Sequence, residues 1–179
     1  TAKPNAQVII DKLLDWDFNL DKDSQVATIY QVLMYTLIRK LVEHDLGKEL
    51  TNEFMGAGKH PLLLPTSELL GHTIEALFQI LQNPQSLWLK SDKDVIDLLE
   101  DSMIDTYNWL KNNFEEESDW AWGNLHQATF RHGMAIKKPL DEILNIGPFP
   151  IGGDTDTVFQ TAYNPSSPYH ATEWSPAVR

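Results

Sequence analysis

Apolar side chains recur at the three- and four-residue spacing of an α-helix through the first two thirds of the chain. The clearest run follows Ser24, a residue type that caps helix N-termini, and ends at Gly47, a residue type common just beyond helix C-termini. Its apolar positions are Val26, Ile29, Tyr30, Leu33, Met34, Leu37, Ile38, Leu41 and Val42. A stripe this wide predicts a helix of roughly 30 Å that is buried against other elements.

Two further helices are predicted on either side of this central one. Asn5 is a candidate cap for a first helix that reaches about Trp16. Residues 52–65 contain both glycine and proline and are predicted as a loop. Thr66 or Ser67 then begins a third helix with a regular apolar face.

A fourth helix is predicted after Ser91 and Asp94, whose spacing is that of a capping box. Its apolar face comprises Val95, Leu99, Met103, Tyr107 and Leu110. Its acidic side chains, predicted to face water, are Asp97, Glu100, Asp101 and Asp105. Together the four segments predict a helical region built around the central stripe.

The character of the chain changes after the acidic run Glu115–Glu117, where glycine and proline become frequent and apolar stretches become short. Short helices are predicted near residues 125–130 and 139–145. The alternation of apolar and polar residues over 157–164 predicts a strand. The fold class is therefore mainly α, with short strands and long loops.

These patterns divide the chain into two parts. Residues 1–117 form a helical region of about four helices, and residues 118–179 form a loop-rich tail with short helices and strands. Long structureless loops are uncommon inside compact domains, so we expect the tail to pack on the helices or on a core supplied by other parts of a larger protein. The pattern alone equally allows a compact helical domain with a meandering tail.

Composition narrows the classes of partner. The formal net charge of −12 argues against nucleic acid, because binding phosphates requires clustered Lys and Arg. The most apolar long segment, residues 26–42, contains Gln31, Arg39 and Lys40 and is too polar to span a membrane. The chain has no cysteine, which excludes disulfides, zinc–thiolate sites and thiol nucleophiles. We therefore expect neither nucleic acid nor a membrane among its partners.

The tail carries a distinctive series of motifs. It contains WAWGNLHQATFRH over residues 120–132 and GPFPIGGDTDTV over residues 147–158. This order resembles the penicillin acylase family, in which W-G-x-x-H, F-x-H, G-P-x-x-x-G-G and T-V follow one another in the β-subunit. The matching positions are Trp122, Gly123, His126, Phe130, His132, Gly147, Pro148, Gly152, Gly153, Thr157 and Val158.

The front of the chain and its last residues extend the resemblance. The family's passage "L-x-x-W-D … D-S … A-x-x-[YF]" is matched by Leu13 or Leu14, Trp16, Asp17, Asp23, Ser24, Ala27 and Tyr30. Ser175 and Arg179 match a family G-x-S-x-R segment, although Glu173 and Trp174 stand where a glycine is usual. The resemblance covers residues 9–179.

Membership of this family implies an amide hydrolase of the N-terminal-nucleophile type, with an αββα fold and self-cleavage during maturation. The family's nucleophile is a β-subunit N-terminal Ser whose own α-amino group acts as base. Its substrates are acyl amides such as penicillins or N-acyl-homoserine lactones. Many relatives are periplasmic or extracellular, and the family binds calcium through residues that lie upstream of this segment.

The resemblance thus implies that this chain is a C-terminal part of the β-subunit without catalytic, cofactor-binding or metal-binding residues. Its role would be that of a scaffold, and its partners would be the α-subunit and the rest of the β-subunit. A stand-alone helical interaction module without catalysis is the alternative. Trp120, Trp122 and Phe149 are expected to be left uncovered in the isolated piece, which could then dimerise.

Four features invite a functional reading and are better explained structurally. Thr1 lacks the family's Ser-Asn-x-Trp context and is expected to mark only where this stretch of sequence begins. His126 and His132 are six residues apart, which is not a zinc spacing, and are expected to donate hydrogen bonds that hold the tail. Asp154 and Asp156 are too few for a calcium loop, so Gly152-Gly153-Asp154 is interpreted as a tight turn. The Glu115–Glu117 run is expected to be solvated.

Overall fold

Helices dominate the computed structural model, which describes residues 2–55, 67–83, 86–89, 92–135, 137–161 and 177–178. The four long helices are α1 (Pro4–Leu14), α2 (Gln25–Phe54), α3 (Ser67–Gln82) and α4 (Asp92–Asn113). A 3₁₀ turn (Glu117–Trp120), α5 (Trp122–Leu125), β1 (Gln127–Phe130), α6 (Leu140–Leu144), β2 (Ile146–Pro150), β3 (Phe159–Gln160) and β4 (Ala177–Val178) follow. The fold is mainly α, as predicted.

The core lies around α2, which packs against α1, α3 and α4. Most of its predicted stripe is buried, since Ile29, Leu33, Met34, Leu37, Ile38, Leu41 and Val42 are all at most 8% exposed. Val26 and Tyr30, the other two predicted members, are partly buried. Ser24 caps the helix as predicted, since its Oγ accepts a hydrogen bond from the Ala27 N–H at 3.2 Å. No helix among the described residues is both long and apolar enough to cross a membrane.

The predicted end of α2 at Gly47 is only a break. Gly47 has φ 70° and ψ 165°, after which the helix resumes and continues to Phe54. The Thr51 hydroxyl donates to the Gly47 carbonyl at 2.8 Å, and Met55 is fully buried, so this second segment is anchored to the core. The prediction of a loop from residue 52 was therefore wrong for 52–54, and residues 56–65 lie outside the described chain.

The start of α1 also differs from prediction. Asn5 is not the cap, because the helix already begins at Pro4 and the cap position is Lys3. Proline suits the first helical position, where its fixed φ fits and no N–H is needed. The Lys3 N–H donates to Glu100 at 2.7 Å, and its Nζ forms an ion pair with the same carboxylate at 3.2 Å. This contact holds the first turn of α1 against α4.

Helix α4 presents the predicted face to the core. Leu110 is fully buried, and Val95, Leu99, Met103 and Tyr107 are partly buried against the α2 cluster. Asp97, Asp101 and Asp105 are exposed as predicted, whereas Glu100 is half-buried by its pairing with Lys3. Ser91, one half of the predicted capping box, lies outside the described residues.

Trp120 ends the 3₁₀ turn and is fully buried, so the expectation that it would be uncovered was wrong. Lys12 of α1 and Lys111 of α4 lie 5.7 and 5.4 Å from its ring centroid. Both ammonium groups also pair with Glu117, at 3.4 and 3.1 Å. The hydrogen bond from Lys111 is the main cause that holds the Glu117 pKa below its usual value. Glu117 therefore joins two helices, whereas Glu115 and Glu116 are exposed.

The tail contains a strand where a helix was predicted. Residues 127–130 form β1, which pairs antiparallel with β2 through Gln127 opposite Pro150 and Ala128 opposite Phe149. The prediction of a helix over 125–130 was therefore wrong. The short α5 ends at Leu125, and the residues after it pair with β2 through their backbone groups. Helix α6 lies within the predicted 139–145. In the predicted strand 157–164, Phe159 and Gln160 form β3 and pair with β4, and residues 162–164 are outside the described chain.

Replacing Gly47 by alanine is expected to lower the free energy of unfolding by about 1–3 kcal/mol, because φ 70° with ψ 165° is a conformation that only glycine adopts readily. An added Cβ would meet no atom within 4 Å there, so the loss would be conformational and not steric. Gly133→Ala is the matched control, since its surroundings are equally open and its φ is not in the left-handed region. Urea unfolding of both variants checks this. A more stable Gly47→Ala protein would mean that the kink simply straightens.

Candidate functional site

The motif residues of the tail meet the loop before α2. Three backbone N–H groups of the tail donate to this loop: Trp122 to Ser24 O at 3.0 Å, Gly123 to Lys22 O at 2.6 Å, and Gly153 to Leu20 O at 2.7 Å. Two segments that are about a hundred residues apart in sequence are thereby joined along their backbones. We call this contact the tail junction.

Close backbone approach explains two of the motif glycines. A Cβ at position 123 would lie 2.7 Å from the Pro150 Cβ and 3.0 Å from the Lys22 carbonyl oxygen. A Cβ at position 152 would lie 2.6 Å from the Leu20 carbonyl oxygen. Any side chain would push the tail away from the loop, so both positions require glycine for this packing.

The aromatic members of the motif form a buried polar network. The Trp122 indole N–H donates to the Gly153 carbonyl at 2.9 Å, and the ring stacks on His126 with centroids 4.7 Å apart. His126 Nε2 lies 2.7 Å from the Thr161 hydroxyl oxygen. Trp122 and His126 are both fully buried, which corrects the expectation that Trp122 would be uncovered. Buried polar groups of this kind need such partners, and here they hold the tail in its fold.

The Thr161–His126 pair has the spacing of a hydroxyl nucleophile and its base. However, His126 is 0% and Thr161 only 1% exposed, so a substrate has no access to either group. The Thr161 N–H also donates to Asp154 O at 2.9 Å, which fixes the residue in the turn. The pair is therefore structural.

Asp154 links the tail to the core helix. Its side chain accepts hydrogen bonds from Gln31 Nε2 on α2 and from the Asp156 N–H, both at 2.8 Å, and Asp154 is only 8% exposed. The turn is closed by Thr157, whose Oγ1 accepts from the Asp154 N–H at 2.9 Å. The sequence analysis did not identify Gln31 as a partner of the tail. The only signal for this role was that a polar amide lies within the apolar stripe of α2.

The carboxylate of this turn is engaged by other groups of the protein. Both oxygens of Asp154 already accept protein hydrogen bonds, and a calcium ion requires six to eight oxygen ligands. Within the described ranges, no three His, Asp or Glu side chains are grouped as metal ligands. The turn Gly152–Asp154 is a structural connection between tail and core.

Trp16 and Asp17 organise the loop that receives the tail. The Trp16 indole N–H donates to the Asn19 carbonyl at 3.2 Å, and the Asp17 carboxylate accepts from the Asn19 N–H at 2.9 Å. The Trp16 ring also packs on Phe18 and Tyr30, with centroids 5.4 and 5.2 Å away. The loop is thus shaped by the two motif residues before it reaches the tail junction.

His132, Gly147 and Pro148 are not part of the tail junction. His132 is exposed, and its Nδ1 accepts from the Met134 N–H at 3.1 Å, whereas donation by this ring had been expected. Its own N–H donates to Asn145 at 3.0 Å. Gly147 and Pro148 lie in β2, whose five residues are all exposed. These three motif positions shape the β1–β2 ribbon instead.

An open groove of about 490 Å³ lies beside the tail junction. Its lining residues are Leu13, Trp16, Phe18, Leu20, Tyr30, Ile74, Phe78, Asp154, Asp156 and Thr157. Burial, reinforced by the negative charges of Asp154 and Asp156, raises the pKa of Tyr30 above its ordinary 10.0. The groove therefore combines aromatic walls with a negative potential, and we refer to it as the aromatic groove.

Comparison with known proteins identifies the origin of these motifs. The family model described as Penicillin amidase matches residues 1–179. The acyl-homoserine lactone acylase QuiP of Pseudomonas aeruginosa is similar to this chain, with 23% identity over 177 aligned residues. The alignment covers 90% of this chain and 20% of QuiP, so the chain spans about a fifth of the length of this curated relative. The family match confirms the resemblance inferred from the tail motifs.

Asp154→Asn is expected to destabilise the fold by about 1–3 kcal/mol, because an amide offers one acceptor to two buried donors and turns its own N–H₂ toward one of them. Asp97→Asn, an equal loss of charge on the exposed face of α4, should change stability by less than about 0.5 kcal/mol. Thermal unfolding, with hydrogen exchange of the Thr161 amide as a local probe, measures both. Equal effects of the two substitutions would show that the Gln31–Asp154 contact contributes nothing.

Tyr30→Phe is expected to remove a tyrosine whose pKa is raised by burial and by the negative charges of Asp154 and Asp156. Because the folded-state pKa is raised, the neutral phenol stabilises the fold fully below about pH 10, and this contribution is lost as pH rises through the folded pKa. Wild-type stability should fall more steeply than that of Tyr30→Phe above this pH. Tyrosinate absorbance follows the titration, with Tyr35→Phe as the control for deleting a phenol. If the phenol that disappears in Tyr30→Phe titrates in the wild type with an ordinary tyrosine pKa, the raised pKa assigned to Tyr30 is contradicted.

Proposed function

Because the chain belongs to the penicillin amidase family, we propose that it is a non-catalytic scaffold segment of a larger amide hydrolase. In this proposal it is a C-terminal part of the β-subunit of an N-terminal-nucleophile acylase with an αββα core. The nucleophilic serine and the oxyanion-stabilising groups lie in the part of the enzyme that precedes it. The coverage of only a fifth of the relative supports this division.

The observation that carries the proposal is the use made of the family motif inside this chain. The Trp122 indole, the His126 ring and the Asp154 carboxylate are each buried and hydrogen-bonded to other residues of the chain. Because these groups are buried and hydrogen-bonded within the chain, they hold the tail on the helices and are not accessible to a substrate. A scaffold needs this arrangement, whereas a catalytic centre needs accessible reactive atoms.

A second feature supports packing against the rest of the enzyme. All five residues of β2 are exposed, and Phe130, Ile146 and Phe149 leave 40%, 61% and 48% of their surface in solvent. Several large exposed apolar side chains on one short ribbon are typical of an interaction site. We assign this face of the β1–β2 ribbon to the β-subunit core, and in its absence to self-association of isolated copies.

For the whole enzyme we propose hydrolysis of the carbon–nitrogen bond of acyl amides. The family's name supports penicillins as one substrate class, and the name of the relative supports N-acyl-homoserine lactones as another. In either case the upstream serine would take the acyl group as the amine leaves, and water would then hydrolyse the resulting acyl-enzyme ester. This chain would position the elements that surround that site without contacting the substrate.

The proposal predicts that placing a charge on the exposed ribbon face harms the whole enzyme but not this chain alone. Phe149→Glu in the full-length protein should reduce mature, active acylase by about tenfold or more, since an unpaired charge would be buried at the interface. The melting temperature of the isolated 179-residue chain should stay unchanged, because this side chain is exposed there. Lys137→Glu, at an exposed polar position, is the charge control.

Activity is followed with a phenylacetyl chromogenic amide and an N-acyl-homoserine lactone. The 179-residue chain alone is expected to hydrolyse neither, and the full-length protein at least one. Turnover by the isolated chain that disappears in Thr1→Ala would overturn the scaffold role. A gene without an upstream serine processing site would favour a stand-alone interaction module.

A further inference from the structure

Three large apolar side chains share one face of the β1–β2 ribbon. Ala128 and Phe130 are two residues apart on β1, so both point to the same side of the ribbon. Their partners across the ribbon, Phe149 and Ile146, point to that side as well. All but Ala128 are substantially exposed. We call this surface the ribbon face.

The hydrogen bonds of the ribbon fix which backbone groups of β2 point outward. The Ile151 N–H, directly after the strand, donates to the His126 carbonyl at 3.1 Å and therefore points toward the β1 side. Backbone nitrogens along an antiparallel strand point alternately toward the partner strand and away from it. The nitrogen of Pro150 therefore points away from β1, to the outer edge of β2.

Two prolines and a bulge close this outer edge to a further strand. Pro150 has no N–H to donate at the edge, and Pro148 has none in either direction. Between the two partner pairs that flank the irregular register, the chain advances two residues on β1 and three on β2, so β2 contains one extra residue. Proline and bulges are features by which proteins prevent an edge strand from pairing with another chain.

We propose that the ribbon binds the β-subunit core through the ribbon face, by side-chain packing against an apolar surface, and that its β2 edge accepts no strand from that core. The inference rests on the proposed scaffold role and adds the mode of contact to it. The core is the occupant because the chain spans only about a fifth of its curated relative, and an enzyme of that length has a large surface outside this chain.

Thiol labelling of the full-length protein tests the ribbon face. These 179 residues contain no cysteine, so Ile146→Cys or Phe130→Cys adds a single small apolar thiol here, and mass spectrometry of its peptide measures the labelling. Labelling of the native protein is expected to be at least about tenfold slower than after urea unfolding, because an interface core excludes solvent. Lys137→Cys, at an exposed polar position of the same hairpin, should label at native and unfolded rates within about threefold of each other.

Hydrogen exchange tests the edge. Pro150→Ala keeps the Cβ that lies beside Gly123 and adds one N–H on the outer edge of β2. In the full-length variant this new amide is expected to exchange within about tenfold of its unprotected rate, because no strand lies beside it. The Ile151 amide, which donates within the ribbon, should exchange more slowly and is the internal reference. Acylase activity verifies that each full-length variant has matured.

Fast labelling of both face variants in the native protein would overturn the proposal, and so would strong protection of the amide added by Pro150→Ala. The Thr129 N–H points away from β2, so its protection in the full-length protein but not in the 179-residue chain would indicate a strand added at β1 and would also reject the proposal. If Pro150→Ala did not mature, the face labels and the Thr129 amide would still decide. These outcomes leave the scaffold role standing, which fails instead if the isolated chain hydrolyses an acyl amide in a Thr1-dependent way.

Discussion

The contact between Gln31 and Asp154 joins the two halves of this chain across 123 positions of sequence. A buried carboxylate is costly unless hydrogen bonds replace its water, and here an amide from the core helix and a backbone N–H from the turn supply them. Because the amide lies within the apolar stripe of α2, the tail has one place where its turn can dock. The neighbouring backbone hydrogen bonds from Trp122 and Gly153 to the loop before α2 require the tail to lie in this same position.

This constraint has consequences for the groove as well as for the tail. The turn that brings Asp154 to Gln31 also brings Asp156 and Thr157 beside the aromatic residues of the first loop. The carboxylate that anchors the tail is thus one of two charges that line an open apolar surface. The packing of this one turn on α2 therefore fixes the fold of the tail and also places negative charge beside the aromatic groove.

The helices could be predicted because each has a local signal. The stripe from Val26 to Val42 and the cap at Ser24 specify α2 without knowledge of its neighbours. Residues 127–130 lack such a signal: they became a strand because β2, twenty residues later, offers a partner, and only the folded chain shows that pairing. Gln31 was overlooked for a similar reason, since a polar residue in an apolar stripe acquires its meaning from the Asp154 that it meets. Asn5 was a plausible cap in isolation, but Pro4 and the Lys3–Glu100 contact set the helix start two residues earlier.

The family motif identifies this chain by packing requirements and not by chemistry. Gly123 and Gly152 occupy positions where a Cβ would strike the backbone of the loop or the β2 strand. Trp122 needs an indole N–H to reach the Gly153 carbonyl, and His126 needs a ring that both stacks on Trp122 and bonds Thr161. Such demands restrict residue type as strongly as a reaction does, because each position tolerates only a side chain of one size and one hydrogen-bonding pattern. In this chain the conspicuous motif therefore marks how the tail docks on the loop before α2.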